Sequence, residues 1–198
     1  MDQLWIKIIF YLAFVCYTLP IYNYTTWLIE NVTTKRNDRI ISNLLMLAAL
    51  ILLSINSGYH AIKTEKAKKI ELYDIEYVTT FPANIGYILY AVNSAYLVYL
   101  YYNKDKSYYY YLYFVAIVSN LLLAAKNNLG LYLSFFFYLI SVFHMHNTET
   151  DRIGLVTKYG LLFYFGTYVY RHFMQSIKNK QFKFYPNSTG DTKEQDKH

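Results

Sequence analysis

The chain is poor in the residues on which extracellular folds and most soluble enzymes depend. Of its 198 residues only one is cysteine, Cys16, which excludes a disulfide framework and any zinc-finger spacing. That cysteine lies inside the first apolar run, the place of a buried and inert thiol. Charged residues make up 16%, well below the roughly one quarter usual for soluble domains. A Gly-rich phosphate loop, a nucleophile elbow, an HExxH pair, a nucleic-acid-binding module and an internal repeat are all missing from the sequence. The net charge of +6 gathers in loops and the tail, where basic residues set membrane topology and meet headgroups.

Apolar and aromatic residues dominate: 55% of the chain is hydrophobic, with 25 Tyr and 13 Phe. Tyrosine suits interfaces, because its ring is apolar and its hydroxyl needs a partner; an AT-rich genome accounts for the same richness, and both readings stand. The apolar residues fall in blocks rather than in a period of 2 or 3.6, which points to membrane spans over a soluble core. Six blocks are long enough, at Leu4–Ile29, Ile40–Ile62, Tyr77–Tyr102, Ser107–Ala125, Leu129–His144 and Ile153–Phe173, against a hydrocarbon core of about 30 Å. The expected fold is therefore all-α, a polytopic membrane helix bundle of about six transmembrane helices, with five to seven as the range. Residues 1–174 form the transmembrane helical domain, and 175–198 form a polar, basic C-terminal tail.

Within this frame the first block is a signal anchor, too long for a signal peptide and without a small-residue cleavage site. Pro20 should kink it. Pro82 falls in the first turns of span three, where proline is tolerated, and Asn84 and Asn93 should face protein rather than lipid. Gly154, Gly160 and Gly166 lie six apart and do not form one seam. Apart from Lys7, the spans carry almost no charge, which argues against a transporter. The larger set of loop lysines and arginines places both termini on the cytoplasm-like or matrix-like side. Of the N-x-S/T triplets, Asn31 is the one open to glycosylation.

The stretch Ser54–Phe81 gathers the ionisable groups: His60 closes span two, and Asp74 and Glu76 open span three beyond a lysine-rich turn. In six spans His172 shares their side, while His144 and His146 end span five on the opposite one. His60, Glu76 and His172, with Asp74 nearby, have the ligand types to hold one divalent ion and leave a position for water, a nucleophile near neutral pH. The competing reading makes His60 and His172 interfacial residues hydrogen-bonded to neighbouring helices. His144 and His146, two residues apart, point to different faces of a helix and suit a polar helix end.

NSGYHAIK followed by LYDIEYVTTF resembles the myomaker and GPI-lipid-remodelling branch of the alkaline ceramidase-like (CREST) membrane hydrolases. Members carry Ser-x-x-x-His at the end of the second helix and an acid followed by an aromatic at the start of the third. His60 and Glu76-Tyr77 match those places, with Asp74 as an alternative acid. The resemblance implies a zinc-dependent amide or ester hydrolase acting on lipids, with His60 and His172 as ligands and Glu76 or Asp74 as ligand or base. Asn56 stands at the family's serine position, and its His-x-x-x-His on a seventh helix has no counterpart before the polar tail. The first expectation is accordingly a non-catalytic accessory subunit of a larger membrane complex without cofactor, an organelle's energy-transducing membrane being one such setting. The alternative is the zinc-dependent lipid hydrolase or remodelling protein. The expected partners are the lipid bilayer and other membrane subunits, with no nucleic acid; the mitochondrial inner membrane and the endomembranes both remain open.

Overall fold

A computed structural model of the chain describes residues 3–66, 80–102, 109–146 and 152–178, and these are helical apart from short turns. The helices are α1 (Gln3–Thr33), α2 (Asn37–Lys66), α3 (Phe81–Tyr101), α4 (Tyr109–Ala124), α5 (Leu129–His146) and α6 (Arg152–Lys178). The six expected spans each coincide with one helix. Two helices are long and apolar enough to cross a membrane by length and composition, over Leu4–Thr33 and Asn37–Lys63, whereas Tyr111–Ala124 and Leu129–Phe143 are shorter apolar stretches. The tail from residue 179 lies outside the described residues.

Each helix packs on the next in sequence, and α6 returns to pack on α1, so the six form a closed ring. Closure depends on Gly160. A methyl group placed there would lie 2.1 Å from the Cys16 Sγ of α1, well inside van der Waals contact, so glycine leaves the space that the Cys16 side chain occupies between the two helices. Six residues of helix rotate a side chain through about 600°, and the three glycines of α6 accordingly serve different neighbours. Gly160 meets α1, Gly166 meets Phe135 of α5, and Gly154 borders an interior cavity.

The turns are set by local hydrogen bonds. After α1, the Lys35 N–H donates to the Val32 carbonyl and the Arg36 N–H to the Asn31 carbonyl, a Schellman closure with Lys35 at φ 55°. The α4–α5 turn repeats it: Lys126 (φ 56°) donates to Leu123 and Asn127 to Leu122. Asn127 then starts α5, its Oδ1 accepting from the Leu129 N–H at 2.9 Å, as a short polar side chain does at a helix start. The α3 helix begins at Phe81, four residues later than the sequence suggests. Thr80 is extended and leads into Pro82, whose missing N–H suits a first turn and whose ring bars a preceding one. The α1 helix runs on through Pro20.

Large apolar side chains are abundant on the outer surface, and polar residues stand among the buried ones. The outer surface shows Leu4, Ile8, Ile55, Ile88, Phe114, Phe143 and Phe163, among many large apolar residues. The interior holds Ser42, Asn43, Asn93, Ser94, Ser119, Asn120 and Ser141 beside the apolar core. Outward-facing hydroxyls are satisfied within their own helix: Thr18 donates to the Phe14 carbonyl at 2.7 Å, Thr25 to Ile21 at 2.7 Å and Thr26 to Tyr22 at 3.0 Å. Such back-bonding is how a hydroxyl is satisfied where water is absent. We predict that Gly160→Val loosens the α1–α6 seam and destabilises the fold by about 1–3 kcal/mol. Thermal unfolding in detergent checks this; an unchanged midpoint would show that the seam does not limit stability.

Candidate functional site

Inside the ring lies a mainly apolar and aromatic cavity of about 500 Å³ with several polar groups on its wall, within the roughly 300–1,000 Å³ range of small-molecule sites. Its wall takes Tyr17 to Trp27 from α1, Met46 and Leu50 from α2, Tyr90 to Leu97 from α3, Leu112 to Ala116 from α4, Phe137 to Ser141 from α5 and Ile153 to Leu161 from α6. These are the C-terminal halves of the odd helices and the N-terminal halves of the even ones. The helices therefore alternate in direction, and the cavity lies toward the end that carries the α1–α2 turn. A second hollow of about 390 Å³ shares Tyr24, Trp27 and Leu97 with it and adds Glu30, Arg36, Arg39, Ser42 and Asn43. We take this hollow as the mouth.

Tyrosines pack the inner end of the cavity. Tyr17 interacts through its hydroxyl with Tyr87, and Tyr90 does so with Tyr138. Tyr138 stacks on Phe165 with ring centres 5.6 Å apart, and Tyr164 meets Tyr168 edge to face at 5.1 Å. Buried phenols in an apolar setting need such partners, which makes this layer a rigid floor. Nearer the mouth, Ser42 of α2 donates to the Asn93 Oδ1 of α3 at 2.7 Å. Asn93 is 1% exposed, facing protein as expected, and the Asn84 amide oxygen is likewise buried. Two other buried groups on the walls, the Asn43 amide nitrogen and the Thr157 hydroxyl, have no hydrogen-bond partner.

Lys158 stands half-buried on the wall, one residue from Thr157 and nearly two turns into α6. It adds to Lys7 a charge within span six, where the spans are expected to carry almost none. The signal was present, a lysine inside an apolar run, but the run alone does not show which face it occupies. Asn31 also departs from expectation: it is 8% exposed and lines the mouth, so its side chain is turned away from a glycosylating enzyme.

The sequence-derived site lies at the other end of the ring. His60 is ten residues beyond Leu50, or about 15 Å along α2. It is 3% exposed, stacked on Phe10 at 5.5 Å and in edge contact with Tyr59 at 5.4 Å. His172 is half-buried, and its Nδ1 lies 2.8 Å from the Tyr132 hydroxyl of α5. Each histidine thus sits among aromatic neighbours from an adjoining helix. Asp74 and Glu76 lie outside the described residues, and of His144 and His146 only the backbone of α5 is described. Among the described residues no three His, Cys, Asp or Glu side chains converge. Of the family-like segment, Asn56 accepts a hydrogen bond from the Thr80 hydroxyl, tying α2 to the start of α3, while Ser57 bonds back to the Leu53 carbonyl at 2.9 Å.

Among the described residues lining the cavity and its mouth, Glu30 is the one carboxylate, and no histidine or cysteine appears. The chemistry on offer is apolar and aromatic contact, hydrogen-bond donation and positive charge. We predict that Asn93→Ala destabilises the fold by about 1–3 kcal/mol by stranding the Ser42 hydroxyl. Adding Ser42→Ala should restore part of that loss, and a double-mutant cycle in detergent measures the coupling; strict additivity would show that the pair is not coupled. Comparison of the chain with protein-family models, curated proteins and solved structures gives no match, so the chemistry of the site itself carries the functional reading.

Proposed function

We propose that the chain is a polytopic integral membrane protein, its six helices all crossing the bilayer, and that its role is non-catalytic: an accessory component of a larger membrane assembly that holds an amphiphilic molecule inside its helix ring. The observation that carries this reading is the apolar outer surface, beside polar groups around an interior cavity. Large apolar residues cover the outside, while hydroxyls, amides and a lysine gather around an interior cavity. In water such a surface would associate or aggregate; in hydrocarbon it costs nothing, and the polar groups are sheltered within the ring. The short α4 and α5 fit a membrane because 16 and 18 residues reach about 24 and 27 Å, close to the hydrocarbon thickness.

Six spans put the α1–α2 turn and the α4–α5 turn on opposite faces of the membrane. In a Cys16→Ala background, cysteine at Lys35 and cysteine at Lys126 should react with an impermeant maleimide from opposite sides of sealed vesicles. Labelling of both from the same side would refute the topology. Native mass in a mild detergent tests the assembly: the accessory reading predicts co-purifying subunits, and a clean monomer would count against it.

The zinc-dependent lipid hydrolase is the second reading, supported by His60 and His172 lying toward the same end of the ring. It predicts about one zinc per chain, lost together with lipid hydrolysis in His60→Ala. Elemental analysis beside the native mass separates the two. Absence of zinc from protein loaded with it would remove the hydrolase, and stoichiometric zinc would displace the non-catalytic reading.

A further inference from the structure

The cavity mouth has a chemical bias that goes beyond holding an amphiphile. Arg36 and Arg39 flank it, with Glu30 as the one carboxylate among its described residues. Below them, Lys158 stands on the cavity wall. The buried polar atoms without a partner there are the Asn43 amide nitrogen, which donates only, and the Thr157 hydroxyl, which donates or accepts; both residues are 7% exposed. A buried donor left unpaired costs about 1–3 kcal/mol, so this arrangement is completed by an acceptor-rich ligand. Two guanidinium groups at the end of the apolar helices also sit at headgroup depth, where arginine binds phosphate through two parallel hydrogen bonds.

We infer that the mouth is a binding site for the phosphate headgroup of an anionic membrane lipid, with one acyl chain lodged in the aromatic cavity beneath it. The inference rests on the amphiphile-holding reading above and names the chemistry of its ligand. The division of labour follows the lining. Arg36, Arg39 and Asn43 face the polar end, Trp27 and Leu97 mark the neck shared by the two hollows, and Tyr90, Ala116 and Phe137 surround the apolar end. A zwitterionic lipid offers the same phosphate, but it adds a cation that the two arginines repel. Free phosphate offers the charge without the chain that would fill the cavity.

Trp27 is the natural reporter, because in a Trp5→Phe background it is the sole tryptophan. Purified full-length protein in detergent is titrated with short-chain phosphatidylglycerol or phosphatidylcholine, each carrying brominated acyl chains, and tryptophan quenching is read. Saturable quenching by phosphatidylglycerol is expected, about tenfold tighter than by phosphatidylcholine. Arg36→Gln with Arg39→Gln should erase that preference while keeping the weaker binding. Ala116→Phe, which fills the cavity, should abolish saturable quenching by both lipids; saturable quenching that survives it would place the chain elsewhere and overturn the proposal. Inorganic phosphate at tens of millimolar should not displace the lipid, and full displacement would make the ligand a free anion instead. Equal binding of the two lipids, unaffected by the arginine substitutions, would overturn the headgroup assignment and leave the cavity reading intact. No saturable quenching by either lipid, in protein whose unfolding midpoint is normal, would overturn both.

Discussion

The approach of α6 to α1 at Gly160 and Cys16 is the constraint on which the rest of the structure depends. Five helices joined in sequence make an open sheet of rods with polar residues along one face. Only when the sixth seats against the first does that face become an interior. The seam is tight because Gly160 has no side chain to meet the Cys16 thiol, and close packing across it adds dispersion contacts. Between neighbouring helices Ser42 finds Asn93 and Thr18 finds Ser54 at 2.6 Å, and closure brings Tyr164 and Tyr168 of α6 into the buried tyrosine layer.

Closure also separates the two ends of the molecule. One end carries His60, His172 and the α4–α5 turn, with its histidines wedged against Phe10, Tyr59 and Tyr132. The other carries the cavity, the arginines and the unpaired donors. Between them lies the layer of buried tyrosines, among them Tyr17, Tyr87, Tyr138 and Tyr164. Aromatic side chains stand across the ring between the two ends. Lys158 marks the deepest charge on the open side.

Much of the fold is legible in the sequence. The six helices follow from six apolar blocks, and the polar turns between α1 and α2 and between α4 and α5 follow from TTKRNDR and KNN. Asn93 is legible as an inward residue, since an amide in an apolar run has nowhere else to find a partner. The start of α3 is less so: the apolar character of Tyr77 and Val78 hides the break that Thr80 and Pro82 impose. The candidate site is barely legible. His60 stands out because it sits near Asp74 and Glu76 along the chain, yet its described partners are rings on α1 and α2. The mouth draws on α1, α2 and α3, and the cavity on all six helices, so no single stretch announces either.

The sequence by itself determined the six helices, the turns that close α1 and α4, and the apolar character of each segment, because these depend on local composition and on backbone groups satisfied within each segment. The tertiary structure decided which face of each helix turns inward. The α1 helix is apolar on nearly all sides, so its own pattern names no inner face; the choice is made by close packing against α2 and α6. That choice brings Arg36, Asn43, Thr157 and Lys158, drawn from opposite ends of the chain, around one cavity. Contacts between residues more than a hundred positions apart are fixed only when the ring closes.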